Sequence, residues 1–180
     1  GDVALFRERL ETSWLGLGVA AWRDVAGNGS LALTKFQSNL AYHILLGEKS
    51  SLSAGLSAAY NQRSVDFSKL TFDAQWDEFS FNGALPSLET NLNQKTSYVD
   101  IGAGMGLSFY NNNNLFVKVG VAARNMNQPV ESFYGANNKI GIRPIANLDV
   151  VYKPSEKFII NPSVYFTRQK RASELVAGSM

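Results

Sequence analysis

The chain contains no cysteine and one histidine. Without cysteine there is no disulfide framework, no thiolate zinc site and no cysteine nucleophile. With one histidine, any imidazole chemistry rests on His43 alone. Charge is scarce too: 18% of residues are Asp, Glu, Lys or Arg, against about 25% in ordinary soluble proteins. A net charge of +2 gives no electrostatic reason to expect nucleic acid as a partner. No apolar run reaches the roughly 18 residues that a transmembrane helix needs. Residues 1–9 show neither the apolar stretch nor the cleavage pattern of a signal peptide. What the chain has in quantity is strict alternation.

The clearest case runs from Ser97 to Asn125. Val99, Ile101, Ala103, Met105, Leu107 and Phe109 share one parity, and Asp100, Gly102, Gly104, Gly106 and Ser108 the other. After Asn111–Asn114, Leu115, Val117, Val119, Val121 and Ala123 oppose Phe116, Lys118, Gly120, Ala122 and Arg124. Successive side chains on a strand point to opposite faces, so each run has one apolar face and one small or polar face. Asparagine tolerates left-handed backbone, and four in a row between strands read as a tight reversal. This is a long β-hairpin.

The same pattern recurs along the chain. Strands are expected over Asp2–Arg7, Ser13–Trp22, Leu31–Leu46, Ser51–Gln62, Ile140–Lys153, Phe158–Gln169 and from Glu174 to Met180. Pro144 and Pro162 interrupt the ladder and mark bends or bulges. From Arg23 to Lys157 the connections alternate long and short: 23–30, 63–95 and 128–139 against 47–50, 111–114 and 154–157. Sequential antiparallel strands put alternate connections at opposite ends of a sheet, so one rim carries long loops and the other short turns. Outer-membrane barrels are built this way. The short connection 170–173 falls on the long-loop rim and departs from the pattern.

Alternation alone does not separate a membrane barrel from a soluble one, but the non-apolar face does. A water-exposed β-surface carries many Lys, Glu and Thr, whereas this face is mainly Gly, Ser, Ala and Asn. Its charges are scattered, and turning Lys118 or Arg143 to lipid would cost about 2–4 kcal/mol near the midplane. The expected fold is therefore all-β: an antiparallel up-and-down transmembrane β-barrel, or eight to nine strands of a larger one, forming a single domain over residues 1–180 that is truncated at both ends. Asp100, Lys118, Arg124, Arg143, Asn147 and Asp149 are expected to face the lumen.

Enzymatic chemistry does not assemble from these residues, and no cofactor or metal site is expected. His43 reads as a polar wall residue, with no serine partner evident for a phospholipase-type barrel. Gly102, Gly104 and Gly106 alternate inside a strand, the wrong context for a phosphate loop. Asp73, Asp77 and Glu78 lack the ligand spacing of a calcium loop. The same segment, within 63–95, interleaves aromatic and acidic residues: Phe72, Asp73, Trp76, Asp77 and Phe79 are the candidate partner-binding loop. The alternative is that this loop folds inward as a plug or extends two strands beyond the membrane.

Several short motifs occur in a telling order: Arg7–Glu11 through Ser13-Trp14-Leu15-Gly16-Leu17-Gly18 and Trp22, Ala41-Tyr42-His43 with Gly47-Glu48-Lys49-Ser50, and Gln62-Arg63-Ser64-Val65-Asp66-Phe67-Ser68. Phe133-Tyr134-Gly135, Gly141-Ile142-Arg143-Pro144, Asn161-Pro162-Ser163-Val164-Tyr165 and Ala172-Ser173-Glu174-Leu175 follow. In these the chain resembles the PorP/SprF family of outer-membrane proteins associated with type IX secretion and gliding motility. The resemblance implies an outer-membrane protein, in contact with lipid, that helps secreted proteins or surface adhesins reach the cell surface together with periplasmic secretion components. It carries over no catalytic residue. The family's early Asn-Pro and aromatic segment is missing, as are the strands expected after Met180. A passive porin or solute channel is the alternative function, and a soluble lipocalin-like barrel the alternative fold.

Overall fold

A computed structural model of the chain describes residues 1–5, 12–27, 30–77, 79–86, 94–111, 114–133, 135–155 and 157–179. The strands are β1 (Asp2–Leu5), β2 (Ser13–Ala26), β3 (Leu31–Leu45), β4 (Ser50–Ser64), β5 (Trp76–Asp77), β6 (Ser80–Phe81) and β7 (Lys95–Asn111). They continue as β8 (Leu115–Arg124), β9 (Arg143–Ser155), β10 (Phe158–Ile160), β11 (Pro162–Gln169) and β12 (Ala172–Ser179). One sheet runs in the order β1-β2-β3-β4-β7-β8-β9-β11-β12, with β10 beside β9. Every pairing is antiparallel, and with β5, β6 and the short β10 set aside each strand of this sheet lies next to its neighbours in sequence. This is the up-and-down wall of a β-barrel. β5 and β6 form a separate two-stranded ribbon.

The burial of this sheet is inverted relative to a water-soluble protein. Among the described residues the most enclosed side chains, apart from the small Ala32 and Ala59 at 4%, are polar: Thr167 at 3% exposure, Asp100 at 5%, Asn61 at 5% and Lys35 at 6%. The large apolar side chains lie on the other face and stay open, Ile101 at 45% and Phe36 at 56% among them. Soluble domains bury Leu, Ile and Phe and leave Lys and Asp in water. Here the sheet wraps its polar parity inward and presents its apolar parity outward.

Small residues make that wrapping possible. A Cβ on Gly104 would lie 2.9 Å from the Ala122 Cβ and 3.1 Å from the Val121 carbonyl. One on Gly102 would lie 2.6 Å from the Ser57 hydroxyl, and one on Gly120 would run into the Asn147 amide. At the β3–β4 turn Gly47 takes φ +93°, and the Leu46 N–H donates to the Ser50 carbonyl at 2.8 Å. A side chain there would strain the turn.

Several boundaries differ from the pattern-based expectation. β2 continues through Arg23 and Asp24, which pair with Thr34 and Leu33, so the turn between β2 and β3 is confined to 27–30 and is not the expected long loop. That turn closes with the Ser30 N–H on the Gly27 carbonyl at 3.1 Å. The rim opposite the short turns therefore holds two long connections, 65–94 and 125–142, and two short ones, 27–30 and 170–171. β9 starts at Arg143; the Ile140 N–H instead bonds the Pro129 carbonyl inside the connection, at 2.9 Å. The expected strand 158–169 is broken at Asn161, with a register irregularity between Phe158 and Ile160, because Pro162 has no N–H for the ladder. Pro144, in contrast, sits within continuous pairing, opposite Ala123. The segment 65–94 is not irregular throughout: it holds two single turns, 67–69 and 73–75, and the β5–β6 ribbon. The motif at Arg7–Glu11 lies outside the described residues.

Candidate functional site

The loop end of the polar face is a dense network of charge. Asp100 on β7 accepts from an Arg124 guanidinium nitrogen at 3.0 Å and from the Asn125 N–H at 2.7 Å. Asn125 adopts φ +54°, a conformation asparagine tolerates, and there β8 ends. The ladder beside β7 is continued by a side chain: Asn127 donates its amide to the Val99 carbonyl at 2.7 Å and accepts from the Ile101 N–H at 3.2 Å. A backbone edge that would otherwise lose partners is satisfied in this way.

Arg143 is the register partner of Arg124, so the two guanidiniums belong to the same face of neighbouring strands. Arg143 donates Nε to the Thr167 hydroxyl at 3.0 Å, and Glu174 lies 3.9 Å away. Lys35 sits with its ammonium 4.8 Å from the centre of the Trp22 ring, a cation–π contact. Arg63, on β4, pairs with Glu131 at 2.9 Å. Glu131 belongs to the connection 125–142, which thus reaches back to the polar face.

Of the six polar residues expected on one face, the structure places all six on the same parity of the sheet. It gathers Asp100, Arg124 and Arg143 at the loop end. Asn147 and Asp149 lie farther along β9, joined by an amide-to-carboxylate bond of 2.8 Å. Lys118 is exposed and is the register partner of Asp149. Pattern reading did not single out Lys35, Asn61, Arg63, Glu131 and Thr167. Lys35, Asn61 and Thr167 already lie within the expected strands, opposite the apolar stripe, and Arg63 lies one position past the expected end of its strand, so parity alone would have found these four. Nothing local marks Glu131, whose partner is far away in sequence.

The candidate loop residues do not converge into a pocket. Phe72 is half-buried, and its N–H donates to the Gln75 side chain at 3.0 Å. Asp73 opens the second single turn, and Trp76 and Asp77 form β5. Phe79 stands at the ribbon tip, 92% exposed, with Trp76 at 60%. The loop is tied to its neighbour by the Lys69 ammonium on the Ser30 hydroxyl at 2.9 Å. Glu78 lies outside the described residues.

His43 has the serine neighbour that the sequence did not reveal. Its Nδ1 lies 2.7 Å from the Ser53 hydroxyl, because β3 and β4 pair these two residues directly. The opposite face of the imidazole environment is Trp14, stacked at 4.9 Å and 11°. A hydrolytic triad also needs a group that orients the imidazole. The structure gives no carboxylate contact to His43 among the described residues.

A family model described as type IX secretion system membrane protein PorP/SprF matches residues 3–179. The chain belongs to the PorP/SprF family. No curated protein and no solved structure matches it. As a PorP/SprF chain it is a component of a secretion system's membrane apparatus, and its inverted sheet suits that setting. β3, β4 and β7 are 15, 15 and 17 residues long. A tilted strand crosses a bilayer in about 9–11 residues, so these strands are long enough to cross and to project beyond.

Proposed function

We propose that this PorP/SprF chain is an outer-membrane barrel wall that assists export or surface attachment of secreted proteins, without a catalytic step of its own. In this reading the apolar parity meets lipid, and Asp100, Lys118, Arg124, Arg143, Asn147 and Asp149 line a lumen within one barrel domain. Secreted proteins or adhesins dock on the loop rim, and periplasmic secretion components engage the same protein. The observation that carries the docking role is the β5–β6 ribbon, which holds Trp76, Phe79 and Phe81 open to solvent beside Asp73 and Asp77. Aromatics are enriched at the centres of protein interfaces, and an exposed group of them marks a contact surface.

Deleting residues 72–81 tests the docking role once membrane insertion has been checked. Loss of secretion or surface adhesion from a normally inserted barrel is the expected outcome. Unchanged secretion with raised permeability contradicts it and assigns the loop to plugging. The second reading, a passive solute channel, draws on the charged interior at the rim, since charged rings set selectivity in pores. Channel activity gives ion conductance in planar bilayers, whereas the docking role gives co-purification with secreted or periplasmic proteins.

A further inference from the structure

The charged network at the loop end encloses a cavity of about 320 Å³, bounded by the polar parity of β2, β3, β4, β7 and β8, the start of β9, the end of β11 and the 125–142 connection. We propose that this cavity binds a small oxyanion, a phosphate or carboxylate group, between Lys35, Arg124 and Arg143.

The charges around the cavity do not balance. Four cations line it, Lys35, Arg63, Arg124 and Arg143, against the carboxylates of Asp100 and Glu131. Both carboxylates are already engaged. Glu131 forms an ion pair with Arg63 at 2.9 Å, although its Oε1 accepts no hydrogen bond, and the two oxygens of Asp100 accept from Arg124 and from the Asn125 N–H. Lys35 is the residue left over. It is only 6% exposed, and its ammonium packs over the Trp22 ring. Among the described residues no carboxylate forms an ion pair with it. Arg143 is only loosely matched: Glu174 lies 3.9 Å away with a side chain 60% exposed.

A shielded ammonium is costly unless it is paired, and a ring contact offsets only part of that cost. An oxyanion in the cavity supplies the missing charge. Planar guanidiniums present parallel N–H groups that match the geometry of phosphate and carboxylate oxygens. The Asn61 and Gln169 amides, also in the lining, each spend one N–H on a backbone carbonyl, Ala59 and Gly141, which leaves one N–H of each for oxygens that the cations leave free. The proposal stands apart from the secretion role, since it concerns the interior of the sheet and not the exposed ribbon.

The test is isothermal titration of the full-length protein in detergent with inorganic phosphate and, separately, with succinate. Saturable binding of one or both is expected, and the tighter ligand identifies the preferred oxyanion. Lys35→Met and Arg143→Gln should each weaken binding about tenfold or more, the size expected for a lost charge-assisted hydrogen bond. Lys35→Arg should retain most of it, and Lys118→Gln, on the same face but outside the cavity, should bind like the unmodified protein. Variants are compared at equal folded fraction, read from their β-sheet circular dichroism. Absence of saturable binding to both ligands overturns the proposal, as does a folded Lys35→Met protein that binds normally. A Lys118→Gln protein weakened as much as Lys35→Met also overturns it, since that pattern is diffuse charge attraction.

Discussion

Asp100 and Arg124 meet across 3.0 Å at the loop end of the polar face, with the carboxylate side chain only 6% exposed. In a water-soluble sheet this pair would lie on the surface. Here it is among the most enclosed contacts, while Ile101, next to Asp100 in the chain, stays open. The pair also fixes where β8 stops, since Asp100 takes the N–H of Asn125 as well.

Replacing Asp100 by alanine should therefore destabilise the folded protein by about 1–3 kcal/mol. The lower end applies to the charge pair itself, because the Arg124 side chain is 37% exposed and solvent screens it. Asp100→Asn keeps an acceptor for the Asn125 N–H and should cost less. Adding Arg124→Gln to Asp100→Ala should cost less than the two changes summed, because they remove one shared interaction. Urea unfolding in detergent micelles reads all of these midpoints.

The glycines of β7 differ in a way that can be measured. A side chain at Gly104 meets the Ala122 Cβ at 2.9 Å and the Val121 carbonyl at 3.1 Å, and neither can rotate away. At Gly106 the nearest atom is the Val119 carbonyl at 3.5 Å, ordinary contact. Gly104→Val should cost about 1–3 kcal/mol through overpacking. Gly106→Ala should stay within about 0.5 kcal/mol of the unmodified protein. The same unfolding midpoints decide between them, and equal effects at the two positions would contradict the close approach of β7 and β8.

The sheet was legible in the sequence wherever one face must be apolar. Val99 to Phe109 and Leu115 to Ala123 show their alternation plainly, and the pairing of β7 with β8 follows it. Legibility failed at strand ends. Arg23 and Asp24 carry polar side chains on both faces and precede a glycine, so they read as loop. Their backbone nevertheless pairs with Thr34 and Leu33, since hydrogen bonding continues after the need for an apolar face has ended. Arg63 and Lys95 read as loop for the same reason, although they lie within β4 and β7.

The charged network was half legible. Asp100, Arg124 and Arg143 stood out as charges opposite apolar stripes. Glu131 did not, because its partner Arg63 is brought to it by the return of the 125–142 connection, a long-range event that local pattern does not encode. The His43–Ser53 contact was hidden similarly: it depends on the register of β3 against β4, which is set by the turn at Gly47.

The most direct test of the inverted sheet is single-cysteine labelling with a membrane-restricted reagent, on the protein in its bilayer. The native chain holds no cysteine, so within it each label reports one position. The pairs are 100 and 101, 118 and 119, and 147 and 148, each straddling the two faces. Cysteines replacing Ile101, Val119 and Leu148 should react from the lipid phase, and those replacing Asp100, Lys118 and Asn147 should not. Labelling of the second set in place of the first would contradict an apolar face turned to lipid around a polar interior.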